Sequence, residues 1–238
     1  MRMYDINKDY FKIIDTEEKA YWLGFIYADG CVTKTGRGYT LRIKLARKDE
    51  DTLYKLRECI GSNAPIRRDT SKADKLVTKD FENSTLIICN TEMCNDLIKL
   101  GCGERKSLTL KPPTYEQVPK HLVVHFIRGY LDGDGWVSCW NYNRKYKVSN
   151  GEIRICNMFS CCVGFCGTKE FLDYICEELK EYGLNKVKYK HKSEIYEMNW
   201  GRKNNALKIY HALYDDAHIY MNRKYNKFIE IISCSTKK

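Results

Sequence analysis

The stretch Trp22-Leu23-Gly24-Phe25-Ile26-Tyr27-Ala28-Asp29-Gly30 returns, with changes, as Ile127-Arg128-Gly129-Tyr130-Leu131-Asp132-Gly133-Asp134-Gly135. Each copy reads as an apolar helix with small residues four apart, closed by an acid and a glycine. Residues at i and i+4 share one helix face. Gly24 and Ala28 in one copy, and Gly129 and Gly133 in the other, therefore predict two helices whose backbones pack closely, each against the other. A left-handed glycine would end each helix, placing Asp29 and Asp134 together at two C-terminal ends. Stability gives no reason for that arrangement. The helix dipole disfavours an anion there, and two carboxylates about 6 Å apart repel by about 3 kcal/mol at an effective dielectric near 20. A hard divalent cation held by the carboxylates and nearby carbonyls would remove both penalties.

The rest of the chain repeats around these motifs. After the first, a hairpin is predicted over residues 31–47, then a helix, two strands and a helix ending near Leu100, in the order αββαββα. Residues 102–119, with Pro112, Pro113 and Pro119, read as a linker. The second motif helix, from about Lys120, opens the same order again. The expected fold is thus α+β: two pseudo-symmetric αββαββα halves, residues 1–101 and 120–238, joined by the 102–119 linker. From Gly24 to Asp49 is 25 residues, against 39 from Gly129 to Thr168. The surplus is expected as a longer second hairpin around residues 141–151.

Composition narrows the partner. With 41 Lys and Arg against 31 Asp and Glu, the net charge of +10 points to a polyanion. No apolar run is long enough to span a membrane, and the first 20 residues are too polar for a signal peptide, so a soluble intracellular protein with no membrane partner is expected. The twelve cysteines are expected as reduced, mostly buried thiols. Cys156, Cys161, Cys162 and Cys166 lack paired Cys-x-x-Cys spacing and do not read as a zinc site. Asp132-Gly133-Asp134-Gly135 starts like a calcium loop but has Val137 where glycine is needed and Asn143 where glutamate is needed.

On both motifs, the order of elements, the length and the proline-bearing linker, the chain resembles the LAGLIDADG homing endonucleases of the monomeric, two-motif kind. The resemblance implies a monomer that straddles double-stranded DNA with two curved antiparallel sheets. It also implies cleavage of both strands across the minor groove of a long asymmetric site, leaving short 3′ overhangs. Asp29 and Asp134 are then the catalytic, metal-binding acids, with the carbonyls of Ala28 and Gly133 as further ligands. Mg²⁺ is the implied cofactor, with Mn²⁺ or Ca²⁺ able to occupy the same sites. Family members often add a lysine at the junction of the last strand and the following helix. Lys203 fits that position in the second half, whereas Cys89-Asn90-Thr91-Glu92 offers no base in the first. Expected DNA contacts are Lys34, Arg37, Arg42, Lys44, Arg67 and Arg68 in the first half and Arg154, Lys186, Lys188 and Lys190 in the second. The alternation Lys186-Val187-Lys188-Tyr189-Lys190 predicts three cations on one strand face. Asp132 matches Tyr27 and is expected to be solvated. An intron RNA maturase or a non-cleaving DNA-binding regulator on the same fold is the alternative, with RNA a partner only for the maturase. Intein origin is not expected, because the chain begins with Met and ends Ser235-Thr236-Lys237-Lys238 without a His-Asn terminus.

Overall fold

The computed structural model describes residues 4–36, 38–72, 80–103, 106–192 and 194–234. Helix α1 (Glu17–Asp29) begins at Thr16, whose hydroxyl accepts the Lys19 N–H, and Glu17 and Glu18 in its first turn complement the helix dipole. From Ala20 to Ala28 every residue of α1 is buried, as suits a helix that is apolar all round. Strands β1 (Gly30–Thr35) and β2 (Gly38–Ala46) follow, then α2 (Glu50–Cys59), β3 (Arg67–Ser71), β4 (Phe81–Ile88) and α3 (Thr91–Lys99). The second half runs α4 (Val123–Asp134), β5 (Trp136–Lys147), β6 (Ile153–Gly167), α5 (Lys169–Glu178), β7 (Lys190–Lys192), β8 (Ile195–Gly201) and α6 (Lys203–Leu213), and a last helix, α7 (Asn222–Ser233), is added.

The two antiparallel sheets share one strand order, β1-β2-β4-β3 and β5-β6-β8-β7. Alternation divides each into a helix-covered face and an open one. Leu41, Ile43, Leu86 and Ile88 face the core in the first, and Val163, Phe165, Met198 and Trp200 in the second.

Helices α1 and α4 join the halves, and glycine sets their separation. A Cβ on Gly24 would lie 1.9 Å from the Phe126 carbonyl oxygen, and one on Gly129 would lie 1.9 Å from that of Tyr21. On Gly133 it would meet the Ala28 methyl at 2.2 Å. The two contacts are related by the same pairing that relates the motifs, so the repeat in sequence is a near-twofold axis in space. Side chains reinforce the seam. Tyr27 meets Phe126 edge-on, with ring centroids 4.9 Å apart. Buried Arg128 of α4 donates to Glu17 of α1 at 2.6 Å, and Arg223 of α7 forks onto buried Asp49 at 2.8 and 3.0 Å. Removing Glu17 would strand the Arg128 guanidinium in low dielectric.

Three local expectations change. Gly30 and Gly135 are extended, with φ of −77° and −81°, rather than left-handed. Close approach explains their identity: a Cβ would fall 2.7 Å from the Ile26 oxygen or the Leu131 oxygen, respectively. The longer second hairpin does form, and its surplus residues are regular ladder, with Trp136↔Gly164 through Lys147↔Ile153 paired. The segment before β7 is not a strand. Trp200 Nε1 donates to the Asn185 carbonyl at 2.8 Å, and Lys186 and Tyr189 both bind Asp173, so residues 185–189 are drawn onto α5. Cys94, Cys102, Cys161 and Cys176 are buried, but Cys31, Cys89 and Cys156 are exposed, and none of the twelve forms a disulfide.

Candidate active site

Asp29 and Asp134 are the last residues of α1 and α4, so the glycine-set crossing brings them together. A Cβ placed on Gly133 would sit 3.3 Å from Asp29 Oδ2. Burial, and next the charge of Asp134, pushes the Asp29 carboxyl up to about 6. Asp134 opens to solvent yet shifts in the same direction, because the surrounding protein displaces part of its water.

Two lysines fill the helix ends beneath the acids. Lys106 Nζ donates to the Ala28 and Gly30 carbonyls. Lys224 Nζ donates to Leu131 (2.5 Å), Asp132 (2.7 Å), Gly133 (3.0 Å) and Gly135 (2.7 Å). Both ammoniums are buried. They satisfy carbonyls that a helix end leaves without partners, and the positive charge of both favours the ionised form of both acids. Desolvation lowers Lys224 to about 8. The two lysines arise at matching points, each following the third helix of its half.

Asp132 is fully buried rather than solvated. It accepts hydrogen bonds from Tyr21 Oη (2.9 Å), Tyr214 Oη (2.7 Å) and the Met221 N–H (2.7 Å). Met221 precedes the first residue of α7, so this carboxylate fixes the helix that carries Lys224. Its counterpart Tyr27 instead donates to the Leu100 carbonyl.

Lys203 lies elsewhere. Its Nζ donates to the Ile232 and Cys234 carbonyls at 2.9 and 2.6 Å, closing the C-terminal end of α7. Lys203 does stand at the β8–α6 junction, but its ammonium is taken up there by α7, and the lysine on the helix end that carries Asp134 is Lys224. The Ala28 and Gly133 carbonyls, expected as metal ligands, each accept from a lysine, which leaves each oxygen a second lone pair.

A family description, LAGLIDADG-like domain, matches residues 16–95. The fold aligns with the I-LtrWI LAGLIDADG homing endonuclease bound to target DNA at a TM-score of 0.54 and 11% identity, covering 94% of this chain and 90% of that one. It aligns with LAGLIDADG homing endonuclease I-GzeII in complex with its DNA target at 0.53 and 12%, covering 92% and 89%. I-SmaMI, bound to uncleaved DNA target in the presence of calcium ions, aligns at 0.53 and 12%, covering 90% and 88%. Residues 16–95 thus match a LAGLIDADG-like domain, and the whole chain shares the fold of these solved structures.

In sequence it is also 27% identical over 174 residues to a probable translation initiation factor IF-2 of Methanocaldococcus jannaschii, covering 71% of this chain but 13% of that protein's length.

The open faces of the two sheets sort the expected DNA contacts. Arg42, Lys44 and Arg67 share the open face of the first, with Lys44 and Arg67 flanking Thr85 in one cross-strand row. Lys44 also reaches Asp69 at 3.2 Å and Ser71 at 3.1 Å. Arg68 points the other way, forked onto Glu50 at 2.8 and 2.7 Å, where Ser84 joins at 2.6 Å. Its expected DNA contact is corrected to a brace between β3 and α2. Lys34 pairs with Tyr39, in register with core-facing Val32 and Leu41, and so lies on the face opposite Arg42. Arg37 lies outside the described residues. In the second half Arg154, opposite Tyr146, and Lys190, opposite Glu197, are on the open face. Lys186 is paired with Asp173 beside α5, and Lys188 is exposed in a segment that is not a strand. The expected stripe of three cations is not formed.

Proposed function

We propose that the protein is a monomeric, site-specific DNA endonuclease of the homing type, which cleaves both strands of a long asymmetric duplex across the minor groove to leave short 3′ overhangs. One observation carries the reading: a largely desolvated carboxylate, Asp29, and a solvent-facing one, Asp134, meet above two buried lysines, between two sheets whose open faces carry arginine and lysine. Stability alone disfavours that cluster, whereas a phosphodiester and a hard cation give each member a task. Asp29 and Asp134 would hold Mg²⁺, and the fit rests on the donor set. Among the described residues no three His, Cys, Asp or Glu gather for a metal; Mg²⁺ characteristically takes one or two carboxylates and completes its shell with water and substrate phosphate oxygens. When bound, the ion supplies Lewis acidity and a more acidic water.

The remaining chemistry belongs to the chain. The α1–α4 crossing holds the two acids at a fixed separation, one for each strand. Lys106 and Lys224, anchored through helix-end carbonyls, stabilise negative charge developing on the phosphate without reorganising. Burial of the cluster strengthens each of these interactions. Arg42, Lys44 and Arg67 on one sheet, and Arg154 and Lys190 on the other, orient the duplex. No helix among the described residues is long and apolar enough to cross a membrane; we place the protein inside the cell, acting in the mobility of its own intron or gene.

The test is incubation of the protein with DNA carrying the uninterrupted host locus, with Mg²⁺ or with chelator. The proposal requires a metal-dependent double-strand break at one position. Its absence at both low and moderate salt would reject the proposal.

A further inference from the structure

The two hairpins that flank the acids differ in reach. Strand β1 has six residues and β5 has twelve, so β5 and β6 continue as a two-stranded ribbon through Tyr142–Lys147 where the first sheet has already turned. At about 3.4 Å per residue the extension adds about 20 Å, the length of about six base-pair steps.

Strand alternation fixes which side chains this extension turns to the open face. Core-facing Cys161 and Val163 occupy odd positions of β6. The even positions share the open face with Cys166, whose thiol donates to the Asp134 carbonyl at 3.4 Å. In the extension that face carries three cross-strand pairs: Tyr142 with Met158, Arg144 with Cys156, and Tyr146 with Arg154. Tyr142 and Tyr146 are 43% and 44% exposed, which leaves both rings open to a partner. Arg154 has only an exposed 3.4 Å contact with Glu152 to hold it, which contributes little.

The chemistry of these six side chains is selective. Arginine matches the two acceptors of guanine, and apolar or aromatic groups meet the thymine methyl. Carboxylates, which accept from cytosine, and amides, which match adenine, are missing from this set. Resting on the endonuclease reading above, we infer that the outer β5–β6 ribbon reads sequence and makes the DNA site lopsided. The half-site under the second sheet extends about six base pairs further from the centre than the other, and its outer positions are guanine or thymine on the strand the ribbon faces.

Binding selection tests this with the full-length protein, Ca²⁺, and duplexes carrying about 30 randomised base pairs, with a single-stranded RNA pool in parallel. The expected selected site has one arm about six base pairs longer, enriched in guanine and thymine. Arg144→Ala or Arg154→Ala should flatten one guanine position by about 10- to 100-fold, and Tyr142→Ala with Tyr146→Ala should remove the thymine preference. All four side chains are exposed, and a thermal melt matching the parent's confirms that each variant folds. Arms of equal length, adenine or cytosine at the outer positions, or variants that alter only RNA selection would overturn the inference while leaving the endonuclease reading standing. Failure to enrich any duplex would overturn both.

Discussion

Replacing Asp29 with asparagine should stabilise the protein while destroying its activity. The argument is one of proton linkage. The Asp29 carboxyl is pushed up to about 6 in the folded state and ionises near 3.9 in the unfolded chain. Folding therefore favours the protonated form. That contribution is complete below the unfolded value and is lost as pH rises through about 6, so at pH 7.5 the charged carboxylate opposes folding. A two-unit separation corresponds to about 3 kcal/mol, which partial solvent screening reduces to about 2 kcal/mol. Asparagine keeps the shape of the protonated acid without the charge. At 2–4 °C per kcal/mol for a chain of this size, Asp29→Asn should melt about 4–8 °C higher at pH 7.5. Near pH 4 the difference should shrink to about 1–2 °C, because parent and variant are then both largely uncharged at this position. Calorimetric melts at the two pH values, without divalent ions, are the assay. A variant that melts no higher than the parent at pH 7.5, or an increase that is equally large at pH 4, would refute the claim that the acids are held against stability.

Gly24→Ala and Gly129→Ala should each destabilise by about 3 kcal/mol or more, read as a loss of melting temperature or of soluble protein, because the new methyl meets a main-chain oxygen at 1.9 Å. Lys106→Ala and Lys224→Ala should each convert a double-strand break into a nick, scored as open-circular rather than linear product from a supercoiled plasmid carrying the target; Lys203→Ala should leave the linear product unchanged. Arg42→Ala should weaken DNA binding and, if its contact is to phosphate, lower the salt slope by about 1, whereas Arg68→Ala should lower the melting temperature and leave that slope unaltered, since its partner is Glu50.

The parts of this molecule that were legible in the sequence are those decided by local spacing. Glycine and alanine four apart mark a close-packing face before any partner is known, and the acid at its end is conspicuous because it runs against the helix dipole. Alternation in Tyr39–Leu45 likewise specifies a strand with one open, basic face. What could not be read depends on neighbours distant in the chain. Lys106 sits in an aperiodic stretch and Lys224 on an otherwise amphipathic helix, and nothing local says that either ammonium is buried beneath a helix end more than 75 residues away. Their matching position after the third helix of each half was the one available signal. Asp132 looked solvated because Tyr214 and Met221, which bury it, are supplied by the other end of the second half. Local charge alternation also misled at Lys186–Lys190, where the carboxylate of Asp173 on α5 competes for the segment and wins. The same holds at Arg68, whose partner Glu50 belongs to a helix the strand pattern does not mention.

The central claim is that Asp29 and Asp134 form one two-acid site serving both strands of a duplex. Its most direct test is strand-by-strand cleavage of a doubly end-labelled target by the parent, Asp29→Asn and Asp134→Asn, each with Mg²⁺ and with chelator, alongside binding of the same duplex. The parent should cut both strands only with the ion, and each variant should bind the duplex with little change yet make no double-strand break. Undiminished double-strand cleavage by either variant would contradict the account.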